Sequence, residues 1–356
     1  MCKLLWKKNY TNPTHQIILI DGKKEEINPS NLPPNEHYKI IMPKLKQHPP
    51  YKEIKPEEFF KLEDSYDYKK MKETGKDKYI YNICLILAAK FENLYIRDFI
   101  EYYLKMGVEK FYFGDDNPEE YENLGDILDD YIKKGIVDIE YIYHLNLTHH
   151  YFDQNAFNST KFRCKWFIFF DVDEYIGFSD KNMNIKTYLD MPVFDKCDTI
   201  RVHWMIHDDN NLLYYDKRPV MERFPNQLPN HPANIYHKPI VRGKDYGKLI
   251  FPNGAHEPES SIVSEQCDAD GNFEKVPSGI MCSPKFKYAW INHYTYRTAE
   301  EFALKLLRGI QKGTKYNYEQ KLDDFFKINK FSEEKVNVVE NIVKTKFPKY
   351  HNNNNN

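Results

Sequence analysis

The segment FIFFDVDEYIGF, residues 167–178, carries three carboxylates directly after an apolar run. Asp171 and Asp173 form an Asp-x-Asp pair, and Glu174 follows them. In an extended backbone, residues i and i+2 point the same way, so the two aspartates are predicted to face one spot. Like charges that close are costly unless a cation sits with them. Oxygen ligands with open positions suit Mg²⁺ or Mn²⁺, which can also neutralise a departing diphosphate.

A second Asp-x-Asp pair, Asp268 and Asp270, lies in the polar stretch CDADGNFEKVPSG. It lacks the later acidic ligand of a calcium-binding loop, so we interpret it as a turn. On the residues alone, Asp171 and Asp173 also have a plainer interpretation, which is a strand end whose acids are hydrated.

Strand and helix patterns alternate around the first pair. Strands are predicted at 79–90, 108–117, 136–143 and 166–171, with helices at 93–107, 123–135 and 151–164. This alternation predicts an α/β fold with a mostly parallel sheet and helices on both faces. Open parallel sheets bind ligands at the carboxyl ends of their strands. We therefore expect one crevice to collect the side chains of Lys90, Glu92, Asp115, Asp116, Asp171 and Asp173.

The second half of the chain has a weaker pattern. A strand is expected in CDTIRVHWMIHDD and another in 288–297, and loops dominate 207–285. Thr298 and Glu301 form a capping box that predicts a helix over 298–313. Further helices are predicted at 319–327 and 332–346.

The expected organisation follows from these patterns. It comprises a polar N-terminal extension (1–78), a main domain (79–313), C-terminal helices (298–350) and an Asn-rich tail (351–356). The main domain divides into a nucleotide half (79–176) and an acceptor half (177–297).

Composition excludes several classes of protein. Hydrophobic residues make up 41% and charged residues 29%, which fits a soluble globular chain. The net charge of −2, without a long basic stretch, argues against a nucleic-acid binder. No apolar run reaches the ~20 residues of a membrane span, and the N-terminal run is too short for a signal peptide. A cytoplasmic location is expected, with peripheral contact to a membrane allowed.

The six cysteines contain no Cys-x-x-Cys spacing, so a zinc knuckle is not predicted. Cys84 and Cys164 lie in apolar patterns and are expected to be buried thiols. A disulfide framework is not expected at this density of cysteines.

Several motifs, taken together over about 80–312, resemble the family 92 glycosyltransferases. KFENLYIRDFIEYYLKMGV is similar to the family's acidic turn and helix, but Asp98-Phe99 replaces the usual Glu-Trp and Tyr103 the usual His. FYFGDDN, WFIFFDVDEYI, VMERF, HKPIVR and GAHEPE match later elements in the family's order. INHYTYRTAEEFALKLLRG resembles its longest and most specific signature.

The resemblance implies a GT-A (Rossmann-like) nucleotide-sugar-binding fold, a UDP-sugar donor and Mn²⁺ or Mg²⁺. It implies transfer of a hexose, galactose-type favoured, to a glycan or glycolipid acceptor, and we expect inversion. Asp173 would be the more direct metal ligand, and Asp171 a ligand that also faces the ribose. Asp115 and Asp116 would meet the uracil or ribose.

The remaining candidates are assigned by position within the resemblance. Donor contacts are expected from Lys90, Glu92, Gln154, Arg297, Lys305 and Arg308. A third metal ligand is expected from His256 or His293, although a lone histidine is more often a structural hydrogen-bonding group. The general base is sought among Asp208, Asp209, Glu222 and Glu257, with Asp208 and Glu257 retained as catalytic candidates. A sugar-stacking wall is sought among His203, Trp204 and Trp290.

Two rival functions stay open on the sequence. A nucleotidyltransferase would also use paired carboxylates, but it should carry a Gly-rich loop after the first strand, and AAKFENLY has no Gly. A glycan-binding protein on an inactive GT-A scaffold is the non-enzyme alternative, and the intact Asp-x-Asp pair weighs against it.

Overall fold

The first described elements of the computed structural model are two short strands, β1 (Gln16–Ile20) and β2 (Lys23–Ile27), which pair antiparallel. The structure describes residues 16–20, 23–27, 55–61, 67, 79–117, 123–145, 149–252, 256–259, 261–273, 283–308 and 318–346. The tail at 351–356 lies outside the described residues.

The end of the segment predicted as an N-terminal extension is packed into the main domain. Phe59 and Phe60 are buried against Phe152. Asp67 is buried, and it accepts hydrogen bonds from the Tyr81 hydroxyl at 2.9 Å and the Arg163 guanidinium at 2.8 Å. Since a buried carboxylate needs such partners, this contact ties the segment to the sheet.

The central sheet has nine strands in the described part of the chain. Eight form a path in the order β5-β4-β3-β6-β9-β8-β11-β7, and β10 pairs with β8. The strands are β3 (Tyr81–Ala89), β4 (Lys110–Asp115), β5 (Val137–Tyr141), β6 (Cys164–Ile168), β7 (Glu174–Phe178), β8 (Thr199–Ile206), β9 (His237–Arg242), β10 (Gln266–Asp268) and β11 (Ala289–His293).

Helices cover the sheet and close the chain. They are α1 (Ile96–Lys105), α2 (Leu124–Ile127), α3 (Asp129–Lys133), α4 (His149–Thr160), α5 (Ile185–Leu189), α6 (Val220–Arg223), α7 (Ala299–Arg308), α8 (Tyr318–Ile328) and α9 (Glu333–Lys346). The capping box is confirmed, because the Glu301 amide donates to Thr298 Oγ1 at 3.1 Å and Thr298 N donates to the Glu301 carboxylate at 3.3 Å. Among the described residues, no helix is long and apolar enough to cross a membrane.

The strand order brings many strand ends to one edge. β3 pairs parallel with β4 and β6, and β4 pairs parallel with β5. β9 lies antiparallel between β6 and β8, so β8 runs in the direction of β6, and β11 is parallel to β8. The carboxyl ends of β3, β4, β6, β8 and β11 therefore share an edge. The predicted α/β fold with a mostly parallel sheet and C-terminal helices is confirmed.

Two local predictions of secondary structure need correction. The region 207–285, predicted to be mostly loop, contains β10 and the central strand β9. The strand β9 was not predicted because it contains Lys238 and Pro239, and neither residue is typical of a central strand. The helix predicted over 123–135 is two short helices that meet at Leu128.

The prediction of buried thiols was wrong. Cys84 is joined to Cys164, and Cys197 to Cys267, by disulfide bonds, and all four side chains are buried. Each bond links neighbouring strands or their flanks, which are separated by 80 and 70 residues along the chain. Disulfides persist in oxidising compartments, so they weigh against the predicted cytoplasmic location.

A non-reducing proteolytic digest should therefore contain peptides that link Cys84 to Cys164 and Cys197 to Cys267. Mass spectrometry before and after reduction measures this directly. Alkylation of all four cysteines in denaturant without reductant would contradict the assignment. A reduced digest of the same sample is the matched control.

Candidate functional site

Polar side chains from three strand ends meet at the shared edge of the sheet. Lys90, directly after β3, has its Nζ 3.7 Å from Asp116 Oδ2, directly after β4. His149 Nε2, at the start of α4, lies 3.2 Å from the same oxygen. His149 also acts electrostatically on Asp171, beyond the end of β6. The three strand ends are thus linked through charged groups.

The Asp-x-Asp pair lies in a turn, which corrects the predicted extended geometry. β6 ends at Ile168, and the Glu174 amide donates to the Asp171 carbonyl at 2.9 Å. The Glu174 carboxylate accepts the Asp171 N–H in return, at 2.8 Å. Glu174 is fully buried, so it holds the turn closed and is not a hydrated acid.

Each aspartate of the pair has its own lysine. Lys238 Nζ, in β9, is 2.8 Å from Asp171 Oδ2, and Lys305 Nζ, in α7, is 2.7 Å from Asp173 Oδ2. Partial desolvation raises the pKa of Asp171, whose side chain is 52% exposed, but Lys238 outweighs this effect and holds the pKa below its usual range. Sequence reasoning missed Lys238, although it lies in the quoted motif HKPIVR. A lysine within an otherwise apolar run was the available signal.

Asp173 is the more buried of the two aspartates, and it faces His293. His293 Nε2 lies 3.7 Å from Asp173 Oδ1. Burial raises the pKa of Asp173, but Lys305 and His293 outweigh it and hold that pKa well below its usual range. Burial lowers the pKa of His293, although Asp173 opposes the shift.

Two further carboxyls, those of Asp153 and Glu174, lie close to the pair. Asp153 in α4 is buried beside Lys238 and Asp171, and its Oδ1 has no hydrogen-bond partner among the described residues. Glu174 Oε1 also has no hydrogen-bond partner among the described residues. Burial raises the pKa of both carboxyls well above the usual range. This shift favours the neutral form of both carboxyls, so the charged partners of Lys238 and Lys305 at the turn are Asp171 and Asp173.

The oxygen donors of these carboxyls suit a divalent cation in their chemistry. Within the stretches that the structure describes, however, no three His, Cys, Asp or Glu side chains form a ready-made metal site. Lys238 and Lys305 instead contact the two aspartates that such an ion would use.

Asp115 closes the end of β4. It accepts the Leu124 N–H at 2.6 Å and the Asn117 N–H at 3.0 Å. Burial raises its pKa to about 7. Gln154 is buried in α4, next to Asp153. Asp115 is therefore engaged with the backbone, and contact of either residue with a nucleotide stays a prediction.

Arg297 and Glu92 form a buried pair below the edge. Arg297 Nη1 is 3.1 Å from Glu92 Oε2, and its guanidinium lies 3.8 Å from the centre of the Tyr95 ring. Arg297 has φ of +53°, in the left-handed region that non-Gly residues rarely adopt. Both side chains thus have partners within the protein, although Arg297 Nε has no hydrogen-bond partner among the described residues. Their contact with a donor stays a prediction. The side chain of Arg308 lies outside the described residues.

The second candidate histidine packs against an aromatic group. His256 Nδ1 is 2.9 Å from the His237 carbonyl, and its ring centre is 5.4 Å from that of Trp204. Burial lowers the pKa of His256 to about 4. The ring centre of Trp204 also lies 4.2 Å from that of His293, so the indole packs beside both candidate histidines.

The predicted sugar-stacking wall is divided by the sheet. Trp204 pairs with Ile291, two residues before His293, so it shares a face with His293. His203 neighbours Trp204 in β8 and points to the other face, where its ring meets His237 at 5.6 Å. Trp290 likewise points away from His293. The three residues do not form one wall.

The candidate bases differ in their surroundings. Asp208, just beyond β8 at the shared edge, accepts from the side chain of Asn226 at 3.2 Å. Glu257 is buried and its Oε1 is 3.2 Å from Arg201 Nη1. Asp209 pairs with Lys335 of α9 at 2.6 Å, with both side chains 2% exposed, which indicates a structural role. Glu222 is exposed on α6.

The buried carboxyl of Glu257 should make the folding stability of the protein depend on pH. Burial raises its pKa to about 7 from an ordinary 4.5, although Arg201 opposes the shift. Between these values the folded protein holds a proton that the unfolded chain releases, so Glu257 lowers stability as pH rises. Between pH 5 and pH 7.5, the melting temperature should fall less for Glu257→Gln than for the natural protein. Equal falls in both proteins would refute the assignment.

Comparison with known protein families gives one match that covers much of the chain. The model of glycosyltransferase family 92 matches residues 46–251, more than half of the chain. The chain belongs to glycosyltransferase family 92. It is a transferase that moves sugar residues. The family match begins inside the N-terminal segment, at 46, in keeping with the packing of Phe59 and Asp67. It ends before the signature at 291–309, so the motif resemblance there rests on the sequence alone.

Other comparisons add little. The crystal structure of S. aureus TarS 1–349 shares 12% identity, with 76% of this chain and 73% of that chain covered, at a TM-score of 0.30. A longer structure of S. aureus TarS shares 13% identity, with 70% and 44% covered, also at 0.30. These scores are too low to support an argument. No curated protein sequence matches the chain.

Proposed function

We propose that this family 92 enzyme transfers a hexose, galactose-type favoured, from a UDP-sugar to a glycan or glycolipid acceptor, with inversion. One observation carries the proposal. The Asp171–Glu174 turn lies where strand ends meet, and it is flanked by two lysines, His293 and the buried carboxyl of Asp153. A nucleoside diphosphate needs such a combination of cations and metal-binding carboxylates.

In this proposal Asp171, Asp173 and His293 would hold Mn²⁺ or Mg²⁺. The ion would supply positive charge for the departing diphosphate. Lys305, 26% exposed beside Asp173, would add a second charge there. His256 is the weaker candidate ligand, because its Nδ1 already faces the His237 carbonyl. Asp115 and Asp116 would border the nucleotide at the end of β4.

The acceptor would approach from the edge beyond β8. Inversion requires a base that removes the acceptor hydroxyl proton. Asp208 lies at this edge and is half-buried, while Glu257 has a pKa near the operating pH of a base. Trp204 faces His293 and would offer an aromatic surface to a sugar ring.

Release of UDP from a panel of UDP-sugars tests the proposal, since slow hydrolysis needs no acceptor. We expect release from one UDP-hexose with Mn²⁺, and loss of release with EDTA. As a control, UDP release should return when Mn²⁺ is added back, which shows that EDTA removed the ion and did not damage the protein. No release from any donor, with no thermal shift by UDP and Mn²⁺, would contradict the proposal and favour an inactive glycan-binding scaffold.

A further inference from the structure

Lys238 lies in the centre of the sheet, beneath the Asp-x-Asp turn. It is the second residue of β9, and only 4% of its side chain is exposed. Its Nζ is 2.8 Å from Asp171 Oδ2 and 3.9 Å from Glu174 Oε2. A buried ammonium is costly without such partners, so these carboxylates are what keeps it charged in place.

The ion pair between Lys238 and Asp171 is one-sided. The lysine is buried, whereas the Asp171 side chain is 52% exposed. A ligand in the crevice can therefore reach the Asp171 carboxylate, while the buried Lys238 ammonium balances its charge. A cation that arrives from the crevice would meet Lys238 as a competitor for the same carboxylate, because like charges close together repel.

Lys305 repeats the arrangement at the second aspartate. Its Nζ is 2.7 Å from Asp173 Oδ2, and it also donates to the Thr295 carbonyl at 3.2 Å. Two separate elements, β9 and α7, thus each place one ammonium on one aspartate of the pair.

We propose that the Lys238 ammonium pairs with two groups in turn, the Asp171 carboxylate in the free protein and the donor diphosphate in the loaded enzyme. Without a divalent cation it neutralises Asp171. When a divalent cation takes Asp171, the Lys238 ammonium turns to an oxygen of the donor diphosphate, a group that lysine binds well through its flexible stem. The inference rests on the proposed function and adds a donor-binding residue to it.

Two affinities should then change in opposite directions in Lys238→Gln. Mn²⁺ alone should bind about tenfold more tightly, because a competing positive charge is removed. UDP in the presence of Mn²⁺ should bind about tenfold more weakly, because a diphosphate contact is lost. Loss of folding weakens both affinities, so it cannot produce this pattern. Electron paramagnetic resonance of unbound Mn²⁺ measures the first affinity, and calorimetric titration with UDP the second.

Two variants control the experiment. Lys335→Gln removes another buried lysine, paired with Asp209 at 2.6 Å away from the turn, and should leave both affinities unchanged. Lys238→Arg keeps the charge and should bind Mn²⁺ like the natural protein. If Lys238→Gln does not fold, Lys238→Met takes its place in both measurements, because it removes the charge and keeps an unbranched side chain for the buried position.

Unchanged or weaker Mn²⁺ binding in the folded Gln variant would overturn the inference, as would the absence of Mn²⁺ binding in every protein tested. Tighter Mn²⁺ binding with unchanged UDP affinity would overturn the role in donor binding. The proposed function is judged separately, by release of UDP from UDP-sugars. A protein without turnover whose Lys238→Gln variant shows both affinity changes would reject the proposed hexose transfer and retain the inference.

Discussion

Asp173→Asn is expected to reduce the release of UDP from the preferred UDP-sugar at least about 100-fold, which corresponds to roughly 2.7 kcal/mol of lost transition-state stabilisation. The carboxylate of Asp173 is buried and faces both Lys305 and His293. These neighbours hold its pKa well below the usual range, so it is charged at neutral pH. An amide of the same size removes that charge from the proposed metal and diphosphate site.

The variant should still fold. Lys305 keeps the Thr295 carbonyl as an acceptor at 3.2 Å, so its ammonium is not left alone when Asp173 is neutralised. Circular dichroism and the melting temperature check this point.

The chain supplies a matched control in its second Asp-x-Asp. Asp268 accepts the Asp270 and Asn272 N–H groups, each at 2.9 Å, and so forms the turn that the sequence predicted. Asp270→Asn should leave UDP release unchanged. Full activity in Asp173→Asn, or equal losses in Asp173→Asn and Asp270→Asn, would reject the first pair as the reactive site.

Glu301→Gln is expected to cost about 3 kcal/mol of folding free energy or more, because it leaves the buried Arg223 without its counter-charge. Arg223 donates to both oxygens of Glu301, at 2.6 and 3.1 Å, and both side chains are at most 1% exposed. Tyr95 donates to the same carboxylate at 2.7 Å. A fall in melting temperature of roughly 5 °C or more is expected, by calorimetry.

The exposed pair Lys133–Asp129 is the control, with side chains 73% and 59% exposed. Asp129→Asn should change stability by less than about 1 kcal/mol. Since Glu301 lies on α7, one turn before Lys305, its loss should also lower the rate of UDP release. A Glu301→Gln protein that melts within about 1 °C of the natural one would show that the charge of Glu301 beside Arg223 does not stabilise the fold.

The structural features of this protein differ in how far the sequence predicted them. The strands β3 to β6 and the capping box at Thr298 were predictable, because periodicity and i to i+3 hydrogen bonds are local. The turn at Asp171 was not, because Glu174 closes it through a side-chain contact that an extended pattern does not reveal. The position of β9 was also hidden, since its place between β6 and β8 depends on strand order.

The sequence by itself determined the α/β class, the edge of the sheet at which chemistry is expected, and the Asp-x-Asp pair that marks it. Its motifs also indicated the glycosyltransferase family. Only the tertiary structure decided which charges meet those aspartates, which cysteines pair, and that Trp204 and not Trp290 faces His293. The physical reason is that these contacts join residues tens to more than a hundred positions apart, and strand register fixes them.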